Sequence, residues 1–133
     1  MEKTYELGAD DSIITAGVTV GTTGVAKSEI YLSRADGTFK DIAQSNAESG
    51  NIDPTIIGKA KDLKTDYIVI YSLIDFSNLE KPLWKNALKS TIITYEIDGG
   101  FDGYVKFTCQ EDEMVVSENG KVASITTTFI LKS

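Results

Sequence analysis

The stretch Asp66-Tyr67-Ile68-Val69-Ile70-Tyr71-Ser72-Leu73-Ile74-Asp75-Phe76 decides the fold class of this 133-residue chain. At a period of two it divides into Tyr67, Val69, Tyr71 and Leu73 on one side and Ile68, Ile70, Ile74 and Phe76 on the other. Aromatic and β-branched residues dominate, and neither side is polar, which is the pattern of a strand in the middle of a sheet. One side belongs to a core. The other needs either a second covering layer or a partner laid over it.

Further along the chain, the pair Asn119-Gly120 marks the surest turn. It joins Met114–Glu118 to the long run Lys121–Leu131, and an Asn-Gly pair suits the type I′ hairpin turn. In the second arm Ala123, Ile125, Thr127, Phe129 and Leu131 share one face, opposite Val122, Ser124, Thr126, Thr128 and Ile130. That alternation predicts one buried side and one mostly wet side. Just before this hairpin, Thr91–Ile97 aligns Thr91, Ile93, Tyr95 and Ile97. A glycine-rich connection, Asp98–Gly103, then leads into Tyr104–Gln110, which predicts another hairpin. Within that last run Val105, Phe107 and Cys109 fall together, so Cys109 reads as a small buried hydrophobe.

On the amino-terminal side, Ser12–Val20 and Ser28–Ser33 alternate, Asp36-Gly37 supplies a turn into Thr38–Ile42, and Thr55–Lys61 forms a short strand. Ala43–Asp53 reads as an exposed loop. Leu79, Leu83, Trp84, Ala87 and Leu88 recur at helical spacing behind Pro82, predicting one short helix near residues 80–88 that plugs an open end. The sum is an all-β, antiparallel β-sandwich of about eight strands with Greek-key or jelly-roll connections. No repeat or linker divides residues 1–133, so a single domain is expected.

Composition narrows the chemistry. The chain has no histidine, one cysteine (Cys109) and one arginine (Arg34). A Ser-His-Asp triad therefore has no base, and a zinc site lacks ligands. Thirteen basic against twenty acidic residues give a formal charge of −7, which repels phosphate backbones and argues against nucleic acid as a partner. No apolar run is long enough to span a membrane. The amino terminus has neither the basic start nor the apolar stretch of a secretory signal, so the expected location is the cytoplasm or that of a trimmed exported protein.

Three side chains are the candidate contacts: Tyr31 and Tyr104, on the more polar sides of their strands, and Trp84 in the helical segment. Acids gather in turns, and Asp98 with Asp102 in the glycine-rich connection are the candidate ligands for a calcium ion, which wants six to eight oxygens. Asp and Gly also favour hairpin tips for conformational reasons alone. The expected function is a non-enzymatic interaction or structural module, an assembly subunit or adhesion domain that binds a protein partner or itself, with no cofactor. The alternatives are a calcium-assisted carbohydrate binder, a glycoside hydrolase using two carboxylates, and a lipocalin-like barrel around an apolar ligand.

Overall fold

The computed structural model describes residues 1–133. Its strands are β1 (Glu2–Glu6), β2 (Ile13–Gly21), β3 (Val25–Ser33), β4 (Phe39–Gln44), β5 (Ile52–Lys59), β6 (Tyr67–Asp75), β7 (Ile92–Asp98), β8 (Val105–Cys109), β9 (Val115–Val116) and β10 (Val122–Lys132). They form two sheets, β1-β10-β6-β3-β4 with β9 also on β10, and β5-β2-β7-β8. Strand β6 is the middle strand of the larger sheet, as its two apolar sides predict. Consecutive strands stay in one sheet only in the hairpins β3–β4, β7–β8 and β9–β10, and every other connection crosses between sheets.

The inward sides of both sheets form one cluster of 26 buried residues. Ile68, Ile70, Ile74 and Phe76 are completely inaccessible to solvent, as are Ile14, Ile93, Tyr95, Ile97 and Phe129. Each such side chain contributes roughly 1.5–3 kcal/mol of burial free energy, so alternation in a few strands suffices to drive the two layers together. Ser72, the one polar residue on the inner side of β6, pairs its hydroxyl with that of Ser28 at 2.8 Å, which satisfies both in the dry interior. The sheets remain two layers and do not close into a barrel.

Four details differ from the sequence reading. There are ten strands: β1 escapes detection by alternation, and of the hairpin arm read over Met114–Glu118 only Val115–Val116 forms β9. Strand β1 alternates, but an inward position is Lys3, whose ammonium lies 5.6 Å from the centre of the Phe107 ring. A lysine that buries its stem in this way disguises an inward position. Strand β1 also runs parallel to β10, pairing Glu2 with Thr128 through Glu6 with Lys132, whereas all other strand pairs are antiparallel.

The Asn119-Gly120 turn is not type I′. Only Gly120 has positive φ, at 78°, and its N–H donates to the Ser117 carbonyl. The Asn119 side-chain oxygen accepts the Lys121 N–H at 3.0 Å, and the Asn119 backbone stays outside the left-handed region. Finally, β5 begins at Ile52, within the stretch read as a loop, because Ile52 enters the core.

The helical segment comprises a 3-10 turn, Lys81–Leu83, and α1 (Trp84–Ser90). It lies at the end of the sandwich near the β2–β3 turn, where the Asn78 amide donates to the Thr23 carbonyl and the Thr22 and Thr91 hydroxyls meet at 2.9 Å.

Candidate functional site

The outer side of β6 carries Tyr67, Val69, Tyr71 and Leu73, and no second layer covers it. Register places Tyr31 of β3 and Thr128 of β10 beside Val69, Glu29 and Thr126 beside Tyr71, and Ser33 and Ile130 beside Tyr67. The result is a twisted face of tyrosine, aliphatic and threonine side chains. Val69 at its centre is 6% exposed, sheltered by its cross-strand neighbours. Its charges are unbalanced. Glu2, Glu6, Glu29, Asp41 and Asp75 point to this side, against Lys27 and Lys132.

At the β3–β4 edge the face becomes a corner. A β-bulge shifts register between Ile30 and Tyr31: Ile30 pairs with Ala43, but Tyr31 pairs with Asp41, so Ile42 is the extra residue. Without it, Ile42 and Lys40 would stand on the outer face. With it, Asp41 and Phe39 stand there, and Lys40 turns to the other side. Tyr31 and Phe39 meet edge to face, with centroids 5.7 Å apart and planes at 71°. Together with Glu29 and Asp41 they line a shallow hollow of about 310 Å³. Phe39 is 69% exposed, unusual for so large an apolar ring.

The three expected contact residues are not brought together. Tyr31 is in this corner. Tyr104 lies on the outer side of the smaller sheet, exposed, with its hydroxyl donating to Glu96 at 3.1 Å. Trp84 opens α1, half-buried against the margin of the core, and its indole N–H donates to the Leu79 carbonyl at 3.0 Å. Three residues outside those candidates join Tyr31: Tyr67 and Tyr71, on the side of β6 expected to need a covering layer or a partner, and Phe39, which no contact reading named. The double-sided apolarity of β6 was the available signal for two of them; Phe39 depends on the bulge.

Asp98 and Asp102 flank the β7–β8 loop. The Asp98 carboxylate accepts the Gly99 N–H at 2.7 Å, and that of Asp102 accepts the Glu6 N–H at 2.9 Å, which ties the loop to β1. No three Asp, Glu or Cys side chains converge in a metal-binding group. Asp10, Asp36 and Asp75 have pKa values below the ordinary range. For Asp10 and Asp36 the main cause is a hydroxyl two residues on, from Ser12 and Thr38; for Asp75 it is the Ser77 N–H. That direction is opposite to the one a glycosidase acid requires.

Two further hollows exist. One, of about 460 Å³, runs between Val25–Glu29 and the Gln44–Glu48 loop. The other, of about 400 Å³, gathers Arg34, Lys40, Lys59 and Asp62. Arg34 is already committed to the buried Asp66, 3.8 Å away. The chain matches no protein-family model, no curated protein and no solved structure.

Proposed function

We propose that this domain is a non-enzymatic interaction module that docks a basic protein partner on the outer face of its larger sheet. The observation that carries the reading is β6 itself: a central strand apolar on both sides, with only one side inside the core. Tyrosine-rich faces suit recognition because each ring offers a large, stiff, amphipathic contact at low entropic cost. Charge selects the partner. Five carboxylates against two ammonium groups favour a partner whose rim is basic, and disfavour the same face of a second copy, which would bring like charges together.

Titration of the isotopically labelled protein with amphipathic lysine- and leucine-containing peptides tests the reading. Amide and ring signals of Tyr67, Val69, Tyr71 and Leu73 are expected to move, and acidic peptides of the same pattern are expected to leave them in place. Perturbations confined to the smaller sheet, or a response of this face to a glycan set and not to peptides, would overturn it.

A further inference from the structure

We propose that the corner formed by Glu29, Tyr31, Phe39 and Asp41 seats one ammonium or guanidinium group, a lysine or arginine side chain projecting from the partner. The proposal rests on the docking-face reading and assigns the chemistry of one position within it. Four observations converge. The two rings stand nearly perpendicular, edge to face, beside the hollow, and the negative potential of a ring face attracts a cation. Carboxylates stand on the same hollow, one on each strand.

Neither carboxylate has a counter-ion. The molecule's ion pairs are Arg34 with Asp66 and Lys61 with Asp11, both elsewhere. The bulge accounts for this: the one extra residue removes Lys40 from the face and installs Asp41 and Phe39 in its place. One local irregularity thus withdraws the chain's own cation and assembles both components of a cation seat. A bare metal ion is a poor fit, because two carboxylates and two apolar rings fall short of the oxygen shell that calcium or magnesium demands. An organic cation, weakly hydrated along its methylene stem, suits both walls and rim.

The test uses three small probes on the intact protein, followed by nuclear magnetic resonance: Nα-acetyl-lysine methylamide, its Nε-trimethyl form, and its neutral Nε-acetyl form. Both cations are expected to shift the ring signals of Tyr31 and Phe39, and their own ε-protons should move upfield under the ring currents. The neutral probe should do neither. In the double variant Glu29→Gln/Asp41→Asn, which keeps shape and removes charge, affinity for the cations should fall about fivefold or more, and Phe39→Ala should weaken it similarly.

Equal binding of the neutral probe, or cation binding undiminished in the double variant, would overturn the proposal. The amphipathic basic peptides separate the two readings. Movement of Tyr67, Tyr71 and Leu73 with none at Tyr31 and Phe39 removes the corner and keeps the face. Cation seating in the corner, with no peptide response across β6, keeps the corner and removes the face.

Discussion

Tyr95 shows how a single polar atom is accommodated in this core. Its ring is wholly buried and meets Phe129 edge to face, and its hydroxyl accepts a hydrogen bond from Thr127 at 2.8 Å. The Cys109 thiol lies 3.8 Å from the same oxygen. Burial raises the Tyr95 pKa well above the usual 10.0, raises that of Cys109 above 9.0, and raises that of Tyr5 as well. A group with a raised pKa in the fold holds its proton more tightly there than in the unfolded chain. Its stabilising contribution is complete below the unfolded value and disappears as pH climbs toward the folded one. Denaturation midpoints should therefore be insensitive to these groups below pH 9.0, then fall steeply above 10.0. Tyr95→Phe should soften the alkaline fall while losing about 1 kcal/mol near neutrality, since Thr127 loses its acceptor. Urea titrations across the alkaline range check this, and an identical fall in wild type and variant would contradict it.

Among the elements, the β7–β8 loop is the most constrained. Gly99 sits at φ 103°, and a Cβ there would lie 1.8 Å from the Ile13 carbonyl oxygen. The loop also holds β1 in place: the Tyr5 hydroxyl donates to the Gly103 carbonyl at 2.6 Å and accepts the Gly100 N–H at 3.0 Å. Gly103, at φ 69°, has open space around its Cα. Gly103→Ala should cost about 1 kcal/mol for its backbone conformation alone. Gly99→Ala should cost about 3 kcal/mol or more, because the backbone of β2 must also move. Thermal melts of the two variants provide the comparison, and equal losses would show that the loop yields freely. The Asp-Gly-Gly-Phe-Asp sequence announces a turn, but not that this turn clamps the amino-terminal strand.

For the molecule as a whole, the two sides of β6 should separate stability from recognition. Ile70→Ala opens a hole in the core and should cost roughly 2–5 kcal/mol. Tyr71→Ser, one residue away on the outer side, should cost about 1 kcal/mol or less, yet weaken binding of basic peptides. Chemical denaturation and peptide titration on the same two proteins test the division. A Tyr71 variant that unfolds as readily as the Ile70 variant would mean that the outer face belongs to the fold and not to a partner.

The amino-acid sequence alone determined that the chain is built of strands, that β6 is central, that the inner sides of β7 and β10 form core, and that the segment around Trp84 caps an end. Each of these follows from side-chain alternation within one segment, a property carried by residues a few positions apart. Tertiary structure decided the rest. Whether β1 pairs parallel to β10, whether Tyr104 and Tyr31 share a face, and whether Asp41 or Ile42 stands beside Tyr31 all depend on how one strand registers against another. One unpaired residue, Ile42, exchanges a cation for a carboxylate on the outer face. Nothing within β4 signals that exchange, because register belongs to the pair of strands and not to either one.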